Sequence, residues 1–360
     1  RLKTALVTRL VRAAVSAAPD ARPMLATTPL DAPWGYRHKV HFVFGNTGGR
    51  QPRLIMGHYA RGSRRVVGVS ECPVHAADGN ARAFALRDAC VKAGVLAADS
   101  PDRRRAGVLK SVAVRVARRT PERVMTVVVA DDADRALRGA TRRAVDAATA
   151  LHVNVHPRAN AFIFGDVTRR ISGPERLRDE VAGVSFLISP TAFFQTNLDA
   201  ADVLVDLVRG ALPERAPVLD LYAGAGLFAL PLARAGHAVV AVEENTAAVA
   251  DGEASRALNR IPPAQCRWVA ATVETALGRA PAHDTVVLDP PREGCSAAVL
   301  QRLFAERQPS LAVYVSCNPD TLARDLAFAA GRGYRIEWLQ PVDMFPHTPH
   351  VETVAVLRRA

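Results

Sequence analysis

Over residues 2–18 the hydrophobic positions recur at helical spacing. Leu2, Ala5, Leu6, Leu10, Val11 and Val15 share one face, and Pro19 and Pro23 end the pattern. One amphipathic helix is expected there. From Pro33 to Val74 the period drops to two. YRHKVHFVFG, RLIMGHYARG and RRVVGVS are short alternating runs separated by glycine, which predicts a β meander. Next the pattern predicts a helix over 76–97, strands at 107–117, 123–130 and 151–155, and a helix over 132–150, a mixed α+β layer. Residues 172–190 read as a joint. Beyond it strands and helices alternate strictly, which predicts a parallel, doubly wound sheet.

A chain of 360 residues suits two or three domains, and 49% hydrophobic against 23% charged residues excludes wholesale disorder. No apolar run reaches the roughly 18 to 20 residues of a bilayer span, and the first residues lack the features of a signal peptide. The expectation is a soluble, cytoplasmic protein. Because the chain starts at Arg1 rather than Met, sequence is expected to be missing upstream.

Charge changes the picture more than composition does. Residues 1–180 hold 32 Lys and Arg against 16 Asp and Glu, whereas 181–360 hold 15 against 19. A basic half joined to a mildly acidic one suggests a polyanion-binding module attached to something else, since clustered cations neutralise phosphates. The bland explanation is an arginine-favouring composition, with only 4 lysines among 47 basic residues. Within the meander, Arg37, Lys39, Arg50, Arg53, Arg61, Arg64 and Arg65 interleave with Trp34, Tyr36, Phe42 and Tyr59. That mixture can hold a nucleic-acid backbone and stack bases, or can be a small sheet with one solvated face. The five cysteines form no CxxC pair, which fits a reducing compartment.

The sharpest local signal is APVLDLYAGAGLFALPLARAG (216–236), an apolar strand, a glycine turn and a helix. Gly224 and Gly226 let backbone approach a ligand, and Ala229 replaces the third glycine of a dinucleotide fingerprint. Glu243, at the end of the following strand, can accept hydrogen bonds from ribose hydroxyls. S-adenosylmethionine, which has a ribose and no phosphate, suits this turn better than NAD, and a tight turn without ligand is the structural alternative. DTVVLDPPREG (284–294) brings Asp289 to the same sheet edge, with Pro290 and Pro291 stiffening the loop behind it. LAVYVSCNPDTLARDL (311–326) brings Cys317 there, just ahead of a helix whose dipole is expected to lower the thiol pKa. Cys266 and Cys295 have no such setting and read as structural. Glu352 opens the final apolar strand after His347 and His350, and an alternating terminal strand can carry a surface glutamate for no functional reason. SPTAFFQTN (189–197) places Gln195 and Asn197 before the first helix of the sheet domain, where an amide can bond a base or a carboxylate.

Taken in order and spacing, FFQTN, VLDLYAGAGLF, DPPREG, SCNPDTLARD and MFPHTPHVETV resemble the RNA uracil-5-methyltransferase family over about 189–360, and GSRRVVGVSECPVHA extends the likeness weakly upstream. The resemblance is nearest to the bacterial enzymes that methylate 23S ribosomal RNA. It implies an α/β chain with a Rossmann-like class I methyltransferase domain at 183–360, a smaller N-terminal α+β RNA-facing domain at 29–182, and a helix with linker at 1–28. It further implies S-adenosylmethionine as methyl donor, RNA as partner, and a monomer. By the same likeness Cys317 matches the nucleophile that adds to carbon 6 of uracil, and Glu352 the base that removes the carbon 5 proton. Gln195, Tyr222, Gly224, Gly226, Glu243 and Asp289 match the donor-binding positions. Alternatives are a tRNA uridine methyltransferase, a non-catalytic RNA-binding protein, and a nicotinamide-dependent oxidoreductase that the downstream motifs disfavour.

Departures from the family pattern are Leu227 and Thr272, each where asparagine is common, so donor affinity is expected to differ. Many relatives also hold a 4Fe-4S cluster through four cysteines, of which only Cys72 has a counterpart here. Either the other three belong to sequence before Arg1, or there is no cluster and Cys72 is a packed residue; the first is the expectation.

Overall fold

The computed structural model describes residues 2–14, 25–29, 32–49, 51–98, 107–131, 135–157, 163–279 and 283–360. Helix α1 is Leu2–Ala14, and the rest of the helix pattern to residue 18 lies outside the described residues. The chain divides into two compact units. One comprises Trp34–Asp179 and Ile188–Ala192, the other Arg1–Pro33, Glu180–Leu187 and Phe193–Ala360.

The first unit is built on a seven-stranded sheet of order β3-β2-β1-β4-β5-β6-β7. Its strands are β1 Lys39–Asn46, β2 Leu54–Tyr59, β3 Val66–Gly68, β4 Leu109–Val116, β5 Arg123–Val129, β6 Thr149–Val155 and β7 Val167–Ser172. The meander is present as β1, β2 and β3, all antiparallel. Period-two patterning sends Val40, Phe42 and Phe44 of β1 to one face, where they pack with helices α2 Ala77–Lys92 and α3 Arg135–Ala144. Helix α3 is shorter than the 132–150 expected.

Folding sorts the basic and aromatic residues of the meander. Phe42 and Tyr36 are buried in the core, and burial, reinforced by Arg115, pushes the Lys39 ammonium down to about 7. These three are not free to meet a nucleic acid. Trp34, Tyr59, Arg53, Arg61, Arg64 and Arg65 are exposed, and Arg50 lies outside the described residues.

The expected joint at 172–190 contains a hairpin, β8 Leu177–Val181 and β9 Val184–Ile188. Its tight turn is left-handed at Ala182 and Gly183, and a β-rich joint of this kind was hidden by its charged residues.

The second unit holds a seven-stranded sheet of order β12-β11-β10-β13-β14-β16-β15. Its elements run α4 Leu198–Ala211, β10 Val218–Leu221, α5 Ala229–Arg234, β11 Val239–Glu243, α6 Thr246–Leu258, β12 Cys266–Ala270, α7 Val273–Arg279, β13 Thr285–Leu288, α8 Ala297–Leu300 continuing as a π-helical stretch, β14 Leu311–Ser316, α9 Pro319–Ala330, β15 Tyr334–Val342 and β16 Glu352–Arg359. Strands β10, β13 and β14 are buried throughout, as a sheet covered on both faces requires. Asparagine caps three of the helices: Asn197 on α4, Asn245 on α6 and Asn318 on α9.

Five neighbouring strands are parallel, but the expected all-parallel sheet is not completed. β16 runs antiparallel between β14 and β15. The physical reason is the short turn between β15 and β16, which has no crossover helix and so must return the chain in the opposite direction.

Helix α1 packs into this unit's core through Val7 and Val11. Its Lys3 ammonium reaches the turn before β16, donating to Asp343 Oδ1 at 2.5 Å, the Phe345 carbonyl at 2.9 Å and the His350 carbonyl at 2.6 Å. Asn197, fully buried, donates to the Met344 carbonyl at 2.8 Å and accepts from the Ala200 N–H at 3.2 Å. Two remote segments therefore tie down the approach to Glu352. No described helix is long and apolar enough to cross a membrane.

Replacing Asn197 by alanine leaves both partners buried and unpaired. The expected loss is about 1 to 3 kcal/mol of stability, read as a lower urea midpoint with unchanged slope.

Candidate active site

Tyr222 at φ 62°, Gly224 at φ 54° and Gly226 at φ 88° make the turn after β10 a run of left-handed residues. Glycine adopts this conformation freely, while Tyr222 adopts it at a cost of about 1 kcal/mol. A Cβ on Gly226 would stand 2.7 Å from the Trp268 ring, so that position admits only glycine. Trp268 also donates its indole N–H to the Gly224 carbonyl at 3.3 Å.

Glu243 closes β11 and binds two neighbouring turns at once. Its Oε2 accepts from the Gly224 N–H and its Oε1 from the Asn245 N–H, each at 2.8 Å. The carboxylate is thereby oriented, and each oxygen retains a lone pair for a hydroxyl. Asp289 follows β13, its N–H donating to the Leu221 carbonyl at 3.3 Å. Burial pushes its carboxyl up to about 7. Between these acids lies Asp220, fully buried and within reach of the Ala229 N–H, which favours its charged form. Burial, then the charges of Asp289 and Glu243, drive its pKa well above the usual range. An acidic lining of this kind fits a ligand with ribose hydroxyls and positive charge, as S-adenosylmethionine has, and opposes a pyrophosphate.

Cys317 and Glu352 meet across the reversed strand. β14 and β16 pair in a register that sets Ser316 opposite Thr353. One further step places Cys317, just past β14, opposite Glu352, the first residue of β16. Their charges interact: Glu352 and Asp289 both raise the thiol pKa, and Arg292 lowers it. Glu352 itself is buried and pushed up to about 8, by burial first and Asp289 second, with Arg292 opposing.

The helix-dipole expectation for Cys317 is corrected here. The thiol is pushed up to about 11, because burial and two nearby carboxylates outweigh the N-terminus of α9. The free protein therefore holds a thiol at neutral pH. Cys266 and Cys295 are buried and both pushed up to about 12, chiefly by burial, as structural cysteines should be.

Thus Tyr222, Gly224, Gly226, Glu243, Asp289, Cys317 and Glu352 gather at the carboxyl edge of one sheet. Gln195 is half-buried in the segment leading into α4, two residues ahead of Asn197. Leu227 is buried, and Thr272 spends its hydroxyl on the Thr275 N–H and side chain. Cys72 is buried, with Asn80 bonded to its N–H and its carbonyl. Among the described residues no group of three or more His, Cys, Asp or Glu is disposed to hold a metal. Sequence reasoning missed Asp220, Arg292 and Trp268. The first two stand inside quoted motifs, while nothing around Trp268 announced that its ring packs on Gly226 and Gly252.

Known proteins resemble this chain over most of its length. The family model described as tRNA (uracil-5-)-methyltransferase matches residues 175–360. An uncharacterized RNA methyltransferase of Gloeobacter violaceus is 36% identical over 349 residues, 96% of this chain and 74% of its own. One of Thermosynechococcus vestitus is 36% identical over 332 residues, 90% of this chain and 72% of its own. Among solved structures, the Pyrococcus abyssi tRNA (uracil-54, C5)-methyltransferase in complex with S-adenosyl-L-homocysteine aligns with a TM-score of 0.82 at 26% identity, covering 99% of this chain and 81% of that one.

The raised carboxyl of Glu352 has a consequence for stability. Its folded pKa lies above the unfolded value, so its contribution is fully present below about 4.5 and is lost as pH rises through about 8. Glu352→Gln is expected to be more stable relative to the parent at pH 8 than at pH 5, measured as the difference in melting temperature. A difference independent of pH would contradict the burial of this charge.

Proposed function

The chain belongs to the tRNA (uracil-5-)-methyltransferase family, S-adenosylmethionine-dependent enzymes that methylate RNA, and from that premise we propose that it methylates carbon 5 of a uridine in 23S ribosomal RNA through a covalent bond to Cys317. The observation that carries the mechanism is the register that sets Cys317 opposite Glu352. The reading assigns the basic α+β unit, with its exposed Arg53, Arg61, Arg64 and Arg65, to the RNA.

Carbon 5 of uracil is too weak a nucleophile to take a methyl group unaided. Cys317 gives up its proton to solvent and its sulfur adds to carbon 6, and the carbon 5–carbon 6 electron pair moves onto carbon 5 and the carbonyl to form an enolate. S-adenosylmethionine, when bound, would supply an electrophilic methyl group to carbon 5 and leave as the neutral thioether S-adenosylhomocysteine. Glu243 and the glycine turn would hold the ribose side of that ligand, and Tyr222, Asp289 and Gln195 would border it. Carbon 5 then carries both a methyl group and a hydrogen. Glu352 takes that proton, the C–H electrons restore the double bond, and the carbon–sulfur bond breaks to release the thiolate. A carboxyl pushed up to about 8 is a stronger base than an ordinary glutamate, which suits the task near neutral pH.

The target base has to leave its stack, at about a few kcal/mol, to reach a half-buried thiol. A second reading, uridine in tRNA, is favoured by the Pyrococcus abyssi relative, whose own substrate is tRNA. Mapping 5-methyluridine in ribosomal and transfer RNA from cells with and without the gene separates the two. Loss from neither RNA would reject both.

Cys317→Ala is expected to abolish methylation and leave donor binding within about twofold. Glu352→Gln is expected to accumulate a covalent RNA adduct, visible as a slow band on a denaturing gel. Absence of that band, with the variant folded and binding donor, would remove Glu352 from the role of base.

A further inference from the structure

The loop from Asp289 to Cys295 carries two of the charges that Cys317 and Glu352 feel, those of Asp289 and Arg292. Helix α9 holds it through a single stripe of side chains at positions 318, 321, 324 and 325. The Asn318 amide and the Thr321 hydroxyl donate to the Arg292 carbonyl at 3.0 and 3.1 Å. Arg324 donates to the Glu293 and Cys295 carbonyls, each at 3.0 Å. The Cys295 N–H in turn donates to Asp325 Oδ2 at 2.8 Å.

Asp325 is the hub of this latch. Its carboxylate is buried, and it also accepts from the Tyr314 hydroxyl at 2.7 Å and from Arg324 Nε at 2.7 Å. Taking a carboxylate out of water is costly unless charge and hydrogen bonds compensate, and an apolar side chain would pack a helix as well. What the carboxylate adds is direction: three donors from a strand, a loop and its own helix converge on two oxygens. The fit is close, since a Cβ on Gly294 would stand 2.6 Å from Arg324 Nη2 and 2.8 Å from Asp325 Oδ2. Asn318, the cap of this helix, directly follows Cys317. The helix that presents the thiol therefore also fixes the charges around it.

We propose that Asp325 is a positioning residue, which by holding residues 292–295 against α9 sets where Asp289 and Arg292 stand relative to the Cys317 thiol and Glu352. The proposal rests on the reading of Cys317 and Glu352 given above for its catalytic half, but its thiol half can be measured without RNA.

Cys317 is the only one of the five cysteines that is not buried, so its alkylation by iodoacetamide can be followed across pH in the free protein. Asp325→Asn keeps the shape of the side chain but puts an amide N–H among donors. Loosening the loop admits water to the thiol and moves the Asp289 carboxylate away, both of which favour the thiolate, while the loss of Arg292 opposes them; burial, the largest cause of the raised thiol pKa, decides the direction. The alkylation midpoint is expected to fall by about one pH unit, with a several-fold faster reaction at pH 8. Over the same change kcat for RNA methylation falls at least about tenfold while KM for the donor stays within about threefold. Tyr314→Phe, which keeps the buried ring and removes one donor to Asp325, shifts both quantities in the same directions by less, and it decides the matter if Asp325→Asn does not fold. A merely structural role lowers the melting temperature and leaves the thiol midpoint in place, and that result overturns the proposal. So does a shifted midpoint with unchanged kcat. If the parent protein methylates no RNA, the functional reading fails, while the thiol midpoint still decides whether Asp325 orders the loop.

Discussion

The antiparallel pairing of β16 with β14 is the constraint on which the candidate site depends. A parallel strand in that slot would bring its carboxyl end to the ligand edge and leave its first residue at the far side of the sheet. Reversal does the opposite, so the first residue of β16, Glu352, arrives across from the residue that follows β14, Cys317. Lys3 and Asn197 hold the turn that delivers it. The N-terminal helix and the last strand are thus parts of one arrangement, although they stand at opposite ends of the chain.

Burial acts on the two groups in useful and costly ways. It makes Glu352 a stronger base by raising its carboxyl, and it makes Cys317 a weaker acid by the same desolvation. Negative charge from Asp289 adds to both effects, and Arg292 opposes both. The free protein is therefore a resting state in which the thiol is protonated. The charges of Asp289 and Glu243 add to burial in raising the pKa of Asp220, and a cationic ligand opposes that effect, which is a physical reason for a methyl donor bearing a sulfonium to belong there.

Much of the site was legible because its residues end strands or open helices. A glycine turn after an apolar strand, an acid at the end of the next strand and a cysteine before Asn318 and Pro319 are local patterns, and local sterics and capping dictate what they form. The thiol pKa was misread for a related reason: proximity to a helix start is visible in sequence, whereas the carboxylates of Asp289 and Glu352 reach Cys317 only through the sheet. Phe42, Tyr36 and Lys39 were misread likewise. Their residue types suit a nucleic-acid surface, but Phe42 faces the core from its strand, Tyr36 is buried, and Lys39, on the opposite face from Phe42, is desolvated where it stands.

Period and punctuation along the chain were enough for the helix at residue 2, the meander, the alternating α/β half and the family likeness, because backbone preference and amphipathic spacing act over a few residues. Folding alone settled that the last strand is reversed, that Glu352 stands across from Cys317, that Trp268 covers the glycines and that Asp325 gathers three donors. Each of these joins residues far apart in the chain, and strand order and desolvation come into being only when the sheet is assembled.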